Sequence, residues 1–311
     1  MISKNSKIYI AGHKGMVGSA TVRKLKNEGF NNLIFKTSIE LDLRNQSSVE
    51  KFILKEKPDI IIDAAAVVGG IWANNEYPYQ FLMDNMLIQN NLINAAVKSD
   101  IKNFIFLGSS CIYPRQAKQP LKEEYLLTSS LESTNQWYAL AKITGVKLIE
   151  AIRNEYAYNY VSLMPTNLYG PHDNYDPMTS HVLPGMITKF HKAKTQNQNA
   201  VILWGDGSPL REFLHVDDLA NAIYLTTQNK LNEYLYNVGS DNEVSIRDLS
   251  EMISGIVGFK GKIKWDKSYP NGTPRKKLDS SKFNSTGWIP QIRLEDGIKD
   301  AYESYLLGLN E

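Results

Sequence analysis

The chain has 311 residues, 42% of them hydrophobic and 22% charged, with a net charge of +2. This balance excludes a disordered or fibrous protein and a dedicated nucleic-acid binder, and the length gives room for two domains of roughly 150 residues. The single cysteine, Cys111, excludes an intrachain disulfide framework and suits a reducing compartment.

The opening MISKNSKIYIAGHKG holds too short an apolar stretch for a signal peptide. The most apolar run, Ile60 to Ala73, is broken by Asp63 and two glycines before it could span a membrane, so a cytoplasmic protein is expected. Lys7–Ala11 predicts a strand entering a glycine loop, and Met16–Glu28 a helix stopped at Gly29. Asn32–Lys36 reads as a second strand, and Ser47 with Glu50 has capping-box spacing, opening a helix that ends before Pro58. Asp59–Ala65 is almost continuously apolar, as in a strand covered on both faces. A long helix over Pro78–Lys98 precedes a strand at Asn103–Ser110; a helix over Gln136–Tyr156 precedes a strand at Tyr160–Met164. The alternation predicts right-handed crossovers and an α/β, doubly wound parallel sheet of Rossmann-like type.

After Pro165 the rhythm breaks into polar loops, including NLYGPHDNYDPMTSH. Helices are expected near His181–Lys194, Asp217–Gln228, Ser245–Val257 and Leu294–Leu307, with a short strand at Val201–Trp204. The expected organisation is a dinucleotide-binding domain over residues 1–170, with a return segment near 211–241, and a smaller mixed α/β substrate domain from 171–210 and 242–311. The basic clusters FKGKIKW and PRKKL read as solvated faces.

Several residues carry chemistry. Gly12, Gly15 and Gly18 of GHKGMVG follow a strand and open a helix, where glycine permits a tight turn and the helix N-terminus favours a diphosphate. The second strand ends in Lys36, Thr37 and Ser38 with no acid before Glu40. A cation and hydroxyls there suit a 2′-phosphate and favour NADP; the plainer reading of Lys36 is an exposed strand end. Tyr138 and Lys142 lie four apart on one helical face, where an ammonium stabilises a phenolate. In a chain with 17 tyrosines that pair gains weight only from context. The context is LGSSCIYP, which puts Ser109, Ser110 and Cys111 at a strand C-terminus, where open α/β sheets bind ligands. The plainer readings are a loop cap for Ser109, a buried filler for Cys111, and a helix cap or surface residue for His181. Arg211 could grip a diphosphate or pair with Asp217 or Asp218. No Cys/His/Asp spacing resembles a metal site.

Together, GHKGMVGSA, VGGIWANN, FLGSSCIYP, YALAK, MPTNLYGPHDN, REFLHVDD and GTPRKKLD resemble the GDP-L-fucose synthase family of extended short-chain dehydrogenase/reductases, from residue 8 to nearly the C-terminus. The resemblance implies an NADPH-dependent 3,5-epimerase and 4-reductase of GDP-4-keto-6-deoxy-D-mannose, homodimeric through the helices near 78–98 and 136–156. From the net charge and the lack of a spanning apolar run, no nucleic-acid or membrane partner is expected. By motif, Ser109, Tyr138 and Lys142 correspond to the reductase set, and Cys111 and His181 to the epimerisation residues. The cofactor contacts would be Gly12, His13, Lys14, Gly15, Met16, Val17 and Gly18 in the loop, with Lys36 from the strand reading. Leu107, Gly108, Ser109, Ser110, Tyr138 and Lys142 follow, and then Pro165, Thr166, Asn167, Leu168 and His181. Lys189, Trp204, Arg211 and Asp279 correspond to nucleotide-sugar contacts. Trp137, bulky and directly before Tyr138, departs from the pattern and reshapes the expected sugar pocket, and the stretch between Thr226 and Tyr234 is short. Three alternatives remain: a related GDP-4-keto-6-deoxy sugar such as a heptose, reduction without epimerisation, and a catalytically silent NADP-binding regulator.

Overall fold

Strand β1 (Ile8–Ala11) sends Ile8 and Ile10 to one face and Tyr9 and Ala11 to the other, and both faces are buried. In the computed structural model, which describes residues 2–176, 179–269 and 271–309, β1 lies inside a six-stranded parallel sheet. Its neighbours in chain order are β2 (Leu33–Ile34), β3 (Ile60–Asp63), β4 (Asn103–Leu107) and β5 (Asn159–Pro165). Three strands then lie elsewhere: β6 (Asn167–Tyr169), β7 (Ala200–Trp204) and β8 (Leu210–His215). The chain returns with β9 (Leu235–Val238) to complete the order β2-β1-β3-β4-β5-β9. The chain leaves β1 in opposite directions toward β2 and β3, which opens a crevice at the strand C-termini.

Helices cover both faces. Helices α1 (Met16–Asn27), α2 (Gln46–Glu56), α3 (Ile71–Glu76), α4 (Pro78–Lys98) and α5 (Gln136–Tyr156) arise within the first half, followed by α6 (Val182–Thr195) and α7 (Val216–Gln228). Leu25 of α1 and Leu219 and Ile223 of α7 pack on the Ile8/Ile10 face. Ile53 of α2, Leu92 of α4 and Val146 of α5 pack on the Tyr9/Ala11 face. The spans of α4 and α5 coincide with those read from the sequence, Pro78 occupying the first turn of α4 and Ala157 ending α5 with a left-handed φ of 55°.

Two local readings are corrected. Asn45, not Ser47, caps α2: its side-chain oxygen accepts from the Ser48 N–H at 3.0 Å, while Glu50 is drawn to Lys98 at 2.7 Å. The turn closed by Asp42 and Arg44 ends early enough for the helix to begin at Gln46. The second strand shrinks to two residues because it is a sheet edge, paired only with β1.

The second layer is built on β8, which pairs with β6, with β10 (Glu243–Ser245) and with β12 (Arg275–Lys276). Between these last two lie α8 (Ile246–Val257), capped by the Ser245 hydroxyl on the Asp248 N–H at 3.0 Å, and β11 (Lys262–Asp266), parallel to β7. Helices α9 (Ser281–Asn284) and α10 (Leu294–Gly308) close the chain. Phe190, Leu203, Ile253 and Ile298 form this layer's own core. The buried carboxylate of Glu212, on β8, accepts from the N–H groups of Asp241 at 2.8 Å and Leu278 at 3.0 Å. Its main-chain carbonyl accepts from Thr166 at 3.2 Å and Asn167 at 2.7 Å. Among the described residues no helix is long and apolar enough to cross a membrane.

Candidate active site

The glycine loop lies at the C-terminal end of β1. Gly12 has φ +75°, and a Cβ there would lie 2.7 Å from the Ala64 carbonyl oxygen. A Cβ on Gly18, in the first turn of α1, would lie 2.1 Å from the Gly12 oxygen. These two glycines are demanded by the chain's own packing. Gly15 is different: it is exposed, and its Cβ would meet only the Gly12 oxygen, at 3.4 Å. Gly15 is also the uncapped N-terminus of α1, whose first turn carries no acid. The N–H groups of this uncapped first turn sit in a positive helix-end field, which fits the diphosphate of a dinucleotide. His13 stacks on Phe35 with ring centroids 5.0 Å apart, and Lys14 is exposed beside it. Lys36 is not a free cation. It pairs with Glu40 at 3.2 Å, and Glu40 also accepts from the Thr37 N–H and hydroxyl at 2.8 Å.

Leu107 ends β4, and Gly108, Ser109 and Ser110 lead into a short 3₁₀ turn carrying Cys111. The Ser109 hydroxyl accepts from the Cys111 N–H at 3.4 Å, so the loop-capping reading of Ser109 is also realised. Helix α5 brings Tyr138 and, one turn later, Lys142 over this strand end. The buried Lys142 ammonium donates to the Leu107 carbonyl at 2.8 Å and lies 5.8 Å from the centre of the Tyr138 ring and 4.7 Å from that of Phe106. Burial, helped by the nearby Cys111 and Asp63, holds the Tyr138 phenol well above its ordinary range, and burial pushes the Lys142 ammonium down. Pro165 closes β5 beside them, and Thr166 and Asn167 are committed to the Glu212 carbonyl, with Leu168 half-buried next in line.

The other wall comes from the second layer. His181 stands at the N-terminus of α6, makes no side-chain capping bond, and lies within reach of the Lys276 charge. The loop before it is tied to the first layer by the Gly70 N–H donating to the Thr179 carbonyl at 2.9 Å. Surrounding protein and the Lys276 charge push the His181 imidazole down. Burial pushes the Cys111 thiol up, with Lys276 and Ser109 pulling the other way. A small cavity of about 50 Å³ joins Cys111, Gln119, Thr273 and Lys276. Arg211 lies opposite Lys276 in the β8–β12 register and donates to the Leu210 carbonyl at 2.8 Å. It pairs with neither Asp217, which takes Arg23 at 2.7 Å, nor Asp218, which accepts from the Gln291 and Ile292 N–H groups. Lys189 lies over the exposed Trp204, 5.2 Å from its ring centre, and Trp204 stacks on Tyr269 at 4.4 Å. Asp279 follows β12, its carboxyl held down by the Ser281 hydroxyl and then by the Ser281 N–H, which donates at 3.1 Å.

A family model for NAD-dependent epimerases and dehydratases matches residues 8–239. The chain belongs to the NAD-dependent epimerase/dehydratase family. Within this family it is 54% identical to a putative GDP-L-fucose synthase 2 of Arabidopsis thaliana, over 98% of this chain and 93% of that one. Among solved structures it is similar to a GDP-6-OMe-4-keto-L-xylo-heptose reductase from Campylobacter jejuni, with TM-score 0.92 and 38% identity over 99% of both chains. It is also similar to a GDP-L-fucose synthetase from Naegleria fowleri bound to NADP, with TM-score 0.90 and 29% identity, over 100% of this chain and 95% of that one. The epimerase/dehydratase match ends just past β9, so β10 to α10 lie beyond it.

Two charged groups beside these residues escape the sequence reading. Lys276, within a cluster taken as a solvated face, is half-buried between Cys111, His181 and Arg211. The signal was available: GTPRKKLD lies inside a motif that carries the resemblance. Asp63 is fully buried at the end of β3, an acid in an apolar run read only as a strand.

Proposed function

We propose that this chain catalyses NADPH-dependent 3,5-epimerisation and 4-reduction of GDP-4-keto-6-deoxy-D-mannose to GDP-L-fucose, as an enzyme with NADP(H) as its cofactor. The observation that carries the reading is the meeting of a Tyr138/Lys142 pair at the β4 end with Cys111 beneath it and the unpaired bases and cations of the second layer. Gly15, the α1 N-terminus and the β4 and β5 ends would hold the dinucleotide, with residues 1–170 and the 211–241 return forming its domain. Bound there, NADPH supplies the hydride for C4.

The chain's own groups account for the rest. The substrate's 4-keto group acidifies the hydrogens on C3 and C5. Cys111 takes a proton from these carbons as thiolate, and the raised thiol makes that thiolate the stronger base. His181 returns a proton from the opposite face, its lowered imidazole being the readier donor when protonated. Ser109 and Tyr138 hydrogen-bond the carbonyl oxygen and stabilise the enolate. Tyr138, which keeps its proton because burial disfavours the phenolate, delivers it to the C4 oxygen during reduction. Lys189, Trp204, Arg211 and Asp279 hold the GDP portion, the guanidinium toward the diphosphate and the indole toward the base.

Exposed Tyr79, Met83 and Leu87 on α4 and Leu140 on α5 support a homodimer through these helices, and a single cysteine suits the cytoplasm. The Campylobacter jejuni reductase and the half-exposed Trp137 beside Tyr138 favour a second reading, the same chemistry on a GDP-4-keto-heptose. Incubating the protein with GDP-4-keto-6-deoxymannose and NADPH, with NMR of the product, decides. GDP-L-fucose is expected. An unepimerised 6-deoxyhexose, or no NADPH oxidation, overturns the proposal.

A further inference from the structure

Buried carboxylates at the end of a central strand carry a desolvation cost, and Asp63 is only 1% exposed. One of its oxygens, Oδ1, accepts from the Ala65 N–H at 3.2 Å. The other, Oδ2, is buried with no hydrogen-bond partner. Sheet register says where this group lies. Asp63 is paired with Ala11 of β1 and with Phe106 of β4. Side chains paired in register across parallel strands share a face, so Asp63 lies beside the Phe106 side chain, about 5 Å away strand to strand. The Lys142 ammonium covers that same Phe106 ring at 4.7 Å and bonds the next carbonyl, Leu107, at 2.8 Å. That is its one hydrogen bond to a fixed acceptor among the described residues.

We infer that Asp63 is a positioning residue for the reduction: it is the buried counter-charge that keeps Lys142 protonated beneath Tyr138. The inference rests on the Tyr138/Lys142 reading above and extends it to a residue outside the Ser/Tyr/Lys set. The titratable groups around the pair are Tyr9 on β1, Tyr138 on α5 and Cys111 after β4. None is a carboxylate, so Asp63 is the acid that acts on Lys142. Burial lifts the Asp63 carboxyl to about 6, and the Lys142 charge pulls it down. Above that pH Asp63 is ionised and opposes the loss of the Lys142 proton that burial encourages. Removing the carboxylate lets Lys142 deprotonate at lower pH, so reduction should fail first on the alkaline side.

Asp63→Asn keeps an oxygen for the Ala65 N–H and removes only the charge. In ¹³Cε-lysine protein without substrate or cofactor, the Lys142 resonance (identified by its absence in Lys142→Arg) should titrate about one pH unit lower in Asp63→Asn. In turnover, Asp63→Asn should lose about tenfold in kcat near pH 9 and approach the unaltered enzyme near pH 6.5. An unchanged Lys142 titration, or a kcat ratio that does not vary with pH, overturns the inference. Should Asp63→Asn fail to fold, the Asp63 carboxyl, labelled with ¹³C and assigned through its backbone, is titrated in Lys142→Met. It should move up, and an unmoved midpoint overturns the inference equally. Because the lysine titration needs no substrate, a wrong sugar assignment leaves this test intact.

Discussion

The two halves of the cleft are made of different material. On the side proposed for the nucleotide the surface is main chain: Gly12 and Gly18 are pressed against neighbouring carbonyls, and the α1 N-terminus supplies N–H groups. On the side proposed for the sugar nucleotide the surface is side chain: Lys189, Arg211 and Lys276 stand without carboxylate partners among the described residues, and Trp204 and Tyr269 lie stacked at the surface. At Gly12 and Gly18 the proposed ligand loop and the packing of the fold use the same atoms, whereas at Gly15 and on the second wall they are separable.

The largest expected effects fall where the halves meet. Tyr138→Phe should lower NADPH oxidation by about 10²–10⁴-fold while exchange of the C3 or C5 hydrogens with deuterated water survives at least partly. Cys111→Ser should do the reverse, losing exchange by a similar factor; undiminished exchange in the folded variant removes Cys111 from the mechanism. Next in size is Gly18→Val, which forces a side chain into the Gly12 carbonyl and should cost about 3 kcal/mol of stability together with cofactor affinity. Gly15→Val has room, so its Tm should hold while NADPH binding weakens; equal Tm losses in both variants would break the contrast drawn here.

On the sugar side, Trp204→Ala should raise KM about tenfold with Tm unchanged, and a falling Tm would show that this wall too is structural. Lys276→Met tests a charge. The Lys276 ammonium favours the Cys111 thiolate, so removing it should move the pH midpoint of iodoacetamide alkylation upward. Cys111 is the only cysteine, which makes that readout specific. Smallest is Lys36→Ala: an exposed cation already shared with Glu40 should contribute less than about 1 kcal/mol to the preference for NADPH over NADH.

What was legible in the sequence divides along the same line. The crossover sheet and the long helices Pro78–Lys98 and Gln136–Tyr156 announce themselves through periodicity, because burial on two faces leaves little compositional freedom. The glycine loop was legible for the same reason. The α2 cap was not, because Asn45, Ser47 and Ser48 are all capable caps and only the preceding turn decides among them. Lys276 and Asp63 were missed for opposite causes. A lysine in a basic run carries no mark of burial, and an acid inside an apolar run is outvoted by its neighbours. The contacts that give each its meaning come from strands remote in sequence: β8 for Lys276, β1 and β4 for Asp63.

Glu212 has a consequence for descent. Its carboxylate pins the main chain of Asp241 and Leu278, and its carbonyl holds Thr166 and Asn167 at the edge of the nucleotide crevice. The C-terminal segment is thereby joined to the sheet-bearing one at Glu212, alongside the main-chain bonds of Leu121 to Lys277 and Asp279 and the bond of the Gly239 N–H to the Ser280 hydroxyl. Exchanging the C-terminal segment as a block would sever these bonds, whereas change at the rim, at positions such as Trp137, Trp204 and Tyr269, touches no part of that joint.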